Sequence, residues 1–347
     1  MRICHVNLSR GFRGGERQTL YIVQESIKKY GIENVLVICS SRGQLFQKLS
    51  SLCGLNIVCA GIQLIGHFEA NAFKPHCCHA HEARAVQWVW IHLMLFGVPY
   101  VITRRVEHPL KDKLLTRLTY GSAAKVVSIS KVIQADISRL GIDSLVIPSA
   151  VPFERNDQID LESRGKTILV AGALVDHHKG QTVAIRALSR LGPEWKLTIV
   201  GDGPDRTVFK KLIKELNLQD NATLEIWSDE FLDFAFLSHE YFVMPSRHEG
   251  LGSILLDAMG KGCVIVASNV GGIPDLVKPS RTGVLFEVGN DEQLAEMLLD
   301  LDARPEHRVH LKKEAIDFAS NSTPMKMMEA HHEIYRETQN NEDQLRG

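Results

Sequence analysis

The densest set of chemistry-capable residues runs Pro245-Ser246-Arg247-His248-Glu249-Gly250-Leu251-Gly252-Ser253 and on through Asp257 to Gly262. An apolar run ends at Met244, a glycine-rich turn follows, and Ser253 to Lys261 has helical spacing. Glu249 lies in the turn and Asp257 eight residues on, close to two helical periods. One carboxylate can then address a reacting sugar while the other accepts hydrogen bonds from a ribose diol. The amides around Gly250, Leu251 and Gly252, with Ser246 beside them, sit where a leaving phosphate needs donors. The plainer alternative, Glu249 as a helix cap and Asp257 as surface charge, uses the same residues.

Two more loops have the makings of anion sites. Gly172-Ala173-Leu174-Val175-Asp176-His177-His178-Lys179-Gly180 joins an apolar run to a helical one, and Lys179 adds a mobile cation to a helix start, which suits a diphosphate. Ser9-Arg10-Gly11-Phe12-Arg13-Gly14-Gly15-Glu16 follows the first strand pattern. Its glycines allow close backbone approach to an anion, or simply make a tight turn. It is not a G-x-G-x-x-G dinucleotide fingerprint, and Cys39-Ser40-Ser41 closes the second strand where that fingerprint needs an acid, which disfavours a nicotinamide dehydrogenase. Val200-Gly201-Asp202-Gly203-Pro204-Asp205 and Ala267 to Asp275 also end strand patterns, and each is explicable as a turn.

Other clusters are more ambiguous. His76-Cys77-Cys78-His79-Ala80-His81-Glu82 resembles a zinc ligand set, and strand alternation puts His79 and His81 on one side, but no second ligand pair follows at finger spacing. The alternative places His81 and Glu82 at a strand end lining a cleft, with the cysteines in the core. Asp300-Leu301-Asp302 has the form of a D-x-D metal motif, yet falls within a helical pattern. No metal ligand set is assigned. Arg104, Arg105, Lys111, Lys113 and Arg117 concentrate positive charge, either as a binding surface for an anion or as a solvated helix face.

What positions these residues is a rhythm of short β-branched runs and longer amphipathic ones, the mark of βαβ units on parallel sheets. Strands are expected near Ile3–Asn7, Val35–Cys39, Asn56–Cys59, His76–His79, Tyr100–Thr103 and Lys125–Ile129. Helices should begin near Gly15, Gln44, Glu82, Pro109 and Lys131. Ile147 to Pro152 and the polar stretch Glu154 to Arg164 break the rhythm. It resumes at Thr167–Ala171, Lys196–Val200, Thr223–Ile226, Tyr241–Met244, Val264–Ala267 and Val284–Phe286. The fold class read from this is α/β, two Rossmann-like doubly wound parallel-sheet domains facing across a cleft: 1–153, 165–320, and a C-terminal helix at 323–338 packing back toward the first. The last few residues read as disordered.

The 347-residue length supports two domains, and 44% hydrophobic with 23% charged residues describes a folded chain. Forty basic against forty-one acidic side chains, a net charge of −1, removes the global case for nucleic-acid binding. Seven cysteines, mostly in apolar runs, suit a reducing compartment. The first residues show no signal-peptide order, and the longest apolar stretch, Val86 to Phe96, is too short to span a bilayer. The expectation is a cytoplasmic protein with at most peripheral membrane contact.

Taken in order, Gly14-Gly15-Glu16, Ile147-Pro148, Lys179-Gly180, Val200-Gly201-Asp202-Gly203-Pro204, Pro245-Ser246-x-x-Glu249-Gly250-x-Gly252, Ala258-Met259-x-x-Gly262 and Val270-Gly271-Gly272-Ile273-Pro274 resemble retaining glycosyltransferase family 4, of GT-B architecture. The resemblance implies a metal-independent, retaining transferase using a nucleotide-diphosphate sugar, with no further cofactor. It implies that Lys179 contacts the donor diphosphate beneath the Gly14-Gly15 loop, that Glu249 lies by the donor sugar, and that the second acidic position holds the ribose. Gly172, Gly203, Ser246, Gly250, Leu251 and Gly252 fall among the expected donor-binding residues, and Glu249, Lys179, Arg105 and His81 among the catalytic ones.

Three departures stand out. Asp257 replaces the usual Glu, Ala173 stands where an Arg commonly precedes the lysine, and Arg105 occupies the apparent place of a His. Arg10, Arg13 and Arg247 are candidates to replace the lost cation. The basic cluster suggests an anionic glycan or lipid-linked acceptor, as in lipopolysaccharide or cell-surface polysaccharide synthesis. Rival readings are a non-catalytic nucleotide-sugar-binding protein and a sugar-nucleotide epimerase.

Overall fold

The computed structural model describes residues 1–59, 64–154, 161 and 163–346, with the backbone alone over 341–346. The chain divides into two compact units, Met1–Val151 with Ser322–Gly347, and Pro152–Asn321. Most of the polar stretch expected as a linker lies outside the described residues. Arg164, at its end, is anchored in the second unit, donating to the Phe236 and Lys261 carbonyls at 2.9 and 3.0 Å.

The first unit holds seven parallel strands: β1 (Ile3–Asn7), β2 (Val35–Cys39), β3 (Asn56–Cys59), β4 (Cys77–Ala80), β5 (Tyr100–Arg104), β6 (Lys125–Ser128) and β7 (Leu145–Val146). Their spatial order is β3-β2-β1-β4-β5-β6-β7. The second unit holds six: β8 (Thr167–Ala171), β9 (Lys196–Val200), β10 (Ala222–Glu225), β11 (Tyr241–Met244), β12 (Val264–Ser268) and β13 (Val284–Phe286), in the order β10-β9-β8-β11-β12-β13. β1, β2, β11 and β12 are buried along their whole length, as strands covered by helices on both faces must be. Strand order reverses between β1 and β4, and again between β8 and β11. At such a reversal the connecting helices leave to opposite faces, so a crevice opens beyond the carboxyl ends of the two strands.

Some elements differ from the sequence expectation. The helix expected near Pro109 begins at Leu114, because tertiary contacts hold the preceding residues in irregular form: Leu110 N–H donates to Asp136 at 2.8 Å, and the Arg104 guanidinium to the His108 carbonyl. The helix Leu64–Ala72 and the two-residue β7 gave too little periodicity to be read. The C-terminal helix runs from Pro324 to Arg346, longer than expected. Its Met327, Met328, Ile334 and Tyr335 pack with Ile3, Ile22, Val101 and Val127, which makes it part of the first unit's core.

The second unit carries a buried ion cluster beside its core. Glu240, 1% exposed, lies 2.8 Å from the Lys312 ammonium and 3.2 Å from Arg308 Nε, and accepts the Arg164 N–H at 2.9 Å. Burial lowers the Lys312 pKa while Glu240 opposes that shift.

Candidate functional site

At the reversal point of the second unit, the loops after β8 and β11 meet. The loop after β8 contains a single helical turn, Asp176–Lys179, ended by Gly180 in left-handed conformation (φ +64°) before the helix Gln181–Leu188. Lys179 is thus the last residue of that turn, not the first of the longer helix. A Cβ on Gly180 would stand 2.1 Å from the Pro245 carbonyl oxygen, a separation only glycine permits. The amide of Arg247 donates to the His178 carbonyl at 2.9 Å, fastening the two loops by backbone.

This contact brings the Lys179 ammonium to 2.5 Å from Glu249 Oε2, both side chains being partly buried. Glu249 is held by backbone too, its carbonyl accepting the Gly272 N–H of the loop after β12 at 2.9 Å. Gly172 lies against the Lys179 side chain, its Cβ position 3.9 Å from Cε. Gly203 meets the Leu174 backbone within 3 Å of a Cβ position, so the loop after β9 closes on the loop after β8. Ser246 is buried, and its hydroxyl has no hydrogen-bond partner among the described residues. Gly250, Leu251 and Gly252 complete the turn, with Gly252 at φ +82°. Leu251 is buried.

Asp257 sits on the following helix, Ile254–Gly260. Arg247 stands in the same loop cluster, 3.7 Å from Asp176, so of the three arginines weighed as replacements for the missing cation it is the one that the second unit contains. Arg10 and Arg13 belong to the first. Lys179, Glu249, Gly172, Gly203, Ser246 and the 250–252 turn therefore gather at the carboxyl ends of interior strands of one unit's sheet. What they form is a group of anion-friendly donors around a cation paired to a partly buried carboxylate.

In the first unit, the Ser9–Arg13 loop leads into the helix Gly14–Tyr30, whose start is closed by the Arg13 N–H donating to Glu16 Oε2 at 2.9 Å. Glu82 is a helix cap and not an open lining group: its carboxylate accepts from the Leu8, Arg84 and Ala85 amides at 3.2, 2.7 and 2.8 Å. His79 and His81 do lie on one side of β4, and the parallel register places His5 of β1 opposite His79. All three are buried, with one ring nitrogen from each within 4.8 Å of the others. The sequence reading missed His5, although alternation on β1 carried the signal, and missed His331 and Tyr335, which come from a helix more than two hundred residues away.

The hydrogen bonds around this cluster are extensive. His5 Nδ1 faces His81 Nε2 at 3.1 Å and His5 Nε2 faces Ser26 Oγ at 3.0 Å. His79 meets the Tyr335 hydroxyl at 2.5 Å and the Thr103 hydroxyl at 2.7 Å. Burial pushes His5 down to about 3 and His331 to about 4, and drives His79 and His81 well below the ordinary histidine value, with Arg105 adding repulsion to each of the last three. Both nitrogens of His5 and His79 are engaged and a guanidinium lies in Coulombic range, so the cluster reads as a neutral polar network. Desolvation lowers Arg105 itself to about 10. Its Cδ is 3.8 Å from a Cβ position on Gly15. The Asp300 and Asp302 carboxylates are committed to ion pairs, Asp300 with Arg304 at 2.6 Å and Asp302 with Lys166 at 3.3 Å.

The second unit also matches a known family. Residues 153–318 fit the family model described as Glycosyl transferases group 1. This unit is a glycosyl transferases group 1 domain. The chain is 38% identical to the sulfoquinovosyl transferase SQD2 of Arabidopsis thaliana over 112 residues, which are 31% of this chain and 21% of that protein. A Campylobacter jejuni N-acetylgalactosaminyltransferase acting on a diphospho-undecaprenol glycan is 28% identical over 198 residues, 54% of this chain and 53% of that one. The chain thus spans about a fifth of the first relative and about half of the second. Its fold is similar to that of Anabaena Alr3699/HepE solved with UDP: TM-score 0.83, 18% identity, 96% of this chain and 99% of that one. HepE has also been solved with UDP-glucose.

Proposed function

We propose that the protein is a retaining, metal-independent glycosyltransferase that takes its donor, a nucleotide-diphosphate sugar, on the group 1 domain. The reading rests on one observation above the others, the 2.5 Å contact of Lys179 with Glu249 between the loops at the domain's strand-order reversal. On donor binding, Lys179 turns to the diphosphate, the 250–252 amides and Ser246 take its oxygens, Glu249 addresses the sugar and Asp257 the ribose. A positioned cation and amides stabilise the departing diphosphate, a contribution of about 3 kcal/mol per well-placed donor. The acceptor hydroxyl attacks on the face the diphosphate leaves, and the leaving oxygen takes its proton, so donors and cations do the work without a metal. HepE, with UDP and UDP-glucose in its solved complexes, supports a uridine nucleotide as the first donor to test.

The acceptor in this reading is a glycan or lipid-linked glycan of cell-surface or lipopolysaccharide synthesis, met at the inner face of a membrane. Two observations support it. The undecaprenol-linked substrate in the Campylobacter relative's name is one. The other is the helix Leu114–Gly121, which exposes Leu114, Leu115 and Leu118 with Lys111, Lys113 and Arg117 beside them, apolar surface framed by cations. No described helix is long and apolar enough to cross a membrane.

A thermal-shift and product assay over a panel of nucleotide sugars, with Glu249→Ala and Lys179→Met, tests the function. UDP or a UDP-sugar should stabilise the wild type by about 2.7 kcal/mol at 100 times its Kd. Glu249→Ala should abolish sugar transfer while keeping nucleotide binding. Lys179→Met should weaken nucleotide binding itself. A panel in which no donor shifts the transition overturns the proposal. Binding without product in any acceptor mixture would favour a non-catalytic nucleotide-sugar-binding protein.

A further inference from the structure

The buried network in the first unit ends on atoms with no hydrogen-bond partner among the described residues. Ser26 contacts Met328 Sδ at 3.4 Å and His5 Nε2 at 3.0 Å. A thioether has no proton to give, so both contacts form at once only if the Ser26 hydroxyl donates to sulfur and accepts from His5 Nε2–H. His5 is neutral, so its Nδ1 then carries a lone pair, which the 3.1 Å contact fills with the Nε2–H of His81. The proton order therefore fixes the His81 tautomer and leaves Nδ1 as an acceptor. His81 is 2% exposed, and its Nδ1 is buried without a partner among the described residues.

Arg105 presents the complementary deficiency. Its Nε and Nη2, the two nitrogens of one edge of the guanidinium, are both buried and unpartnered among the described residues. That edge is the one that grips a carboxylate or phosphate with two parallel hydrogen bonds. Its side chain packs on Gly15 at the start of the helix Gly14–Tyr30, and lies in Coulombic range of His81. Glu16 is a carboxylate within Coulombic range of Arg105, but its Oε2 is occupied by the Arg13 N–H and it reaches neither unpartnered nitrogen. Buried donors and a buried acceptor left open within Coulombic range of one another cost stability unless a ligand meets them.

We infer that Arg105 and His81 form a subsite of the first unit for an anionic sugar of the acceptor, the guanidinium edge taking a phosphate or carboxylate and His81 Nδ1 accepting a hydroxyl proton from the same sugar. The inference rests on the transferase reading for the word acceptor, and its binding chemistry stands apart from it. A ligand with only the anion leaves His81 unfilled, and a neutral sugar leaves Arg105 unfilled. The subsite therefore selects molecules with both groups.

The test is calorimetry on the full chain with a panel of hexose 6-phosphates and hexuronates, each against its parent hexose and inorganic phosphate. At least one anionic sugar should bind about tenfold or more tightly than its parent. Arg105→Gln should erase that preference, and Arg105→Lys should recover only part of it, since an ammonium lacks the fork. His81→Gln keeps a donor toward His5 but has no lone pair at the Nδ1 position. It should weaken the sugar phosphates while leaving inorganic phosphate unchanged. UDP binding, assigned to the group 1 domain, should stay within about twofold in all three variants. No member binding better than its parent hexose, or undiminished binding in Arg105→Gln, overturns the subsite. A tenfold loss of UDP affinity in Arg105→Gln would assign the anion to the donor diphosphate and overturn the acceptor assignment. Absence of binding by every member of the nucleotide-sugar panel in the wild type would sink the transferase reading alone.

Discussion

Replacing Gly180 with Ala tests whether the loops after β8 and β11 must touch for the site to exist. Two separate costs arise. The left-handed backbone at φ +64° costs a residue with a Cβ about 1 kcal/mol. The new Cβ would also stand 2.1 Å from the Pro245 carbonyl oxygen, so the loops must part by roughly 1 Å to reach ordinary contact. Overpacking of this kind adds about 1–3 kcal/mol. The sum, roughly 2–4 kcal/mol, lowers the melting temperature by roughly 5–15 °C for a unit of this size. Gly165 supplies the control: it too has positive φ, +78°, but nothing lies within 4 Å of its Cβ position. Gly165→Ala should therefore show the conformational cost alone, about 1 kcal/mol. Calorimetric melting of both variants, followed by UDP titration, separates the two. Only Gly180→Ala should lose nucleotide affinity, since parting the loops moves Lys179 away from the 250–252 amides that take the same diphosphate. Equal melting shifts in both variants, or full UDP affinity in Gly180→Ala, would refute the reasoning.

Glu240→Gln leaves Lys312 as a buried cation without its anion, while Arg308 keeps Asp302 at 3.4 Å, so chemical denaturation should show a loss of about 3–5 kcal/mol in the second unit. Pairing it with Lys312→Met should recover part of that loss. The histidine network predicts acid sensitivity. His5 and His331 stay neutral in the fold down to about 3 and about 4, whereas the unfolded chain binds those protons below about 6.5. Stability is therefore complete above 6.5 and falls as pH drops toward 4, by about 1.4 kcal/mol per pH unit for each such histidine. A urea-denaturation series across that range should show a shallower slope in His331→Gln, and an unchanged slope would contradict the assignment. Leu114→Ser with Leu115→Ser should lower sedimentation with vesicles rich in anionic lipid without changing UDP binding. Equal sedimentation would remove that helix as a membrane contact.

The sequence by itself determined the two sheets and most of their strands, because a parallel strand covered on both faces must be apolar throughout, and Val35–Cys39 or Tyr241–Met244 allows little else. It also marked the Lys179 and Glu249 loops, since glycines next to a strand end are legible wherever the backbone must turn sharply. Local spacing could not show that Gly180 lies under the Pro245 carbonyl, which depends on β8 and β11 being neighbours although two strands separate them in the chain. Nor could it show that Glu82 is consumed as a cap, or that tertiary hydrogen bonds delay the helix after Pro109 to Leu114.

The first-unit network is the extreme case. His5, His81, Arg105, His331 and Tyr335 come from distant parts of the chain, and no period connects them. Whether such residues are partnered is decided by packing, because a hydrogen bond depends on fractions of an ångström that sequence spacing does not carry. The residue types that can bind an anionic sugar are written in the chain. Which of their atoms remain unfilled is decided only when the C-terminal helix closes on β1 and β4.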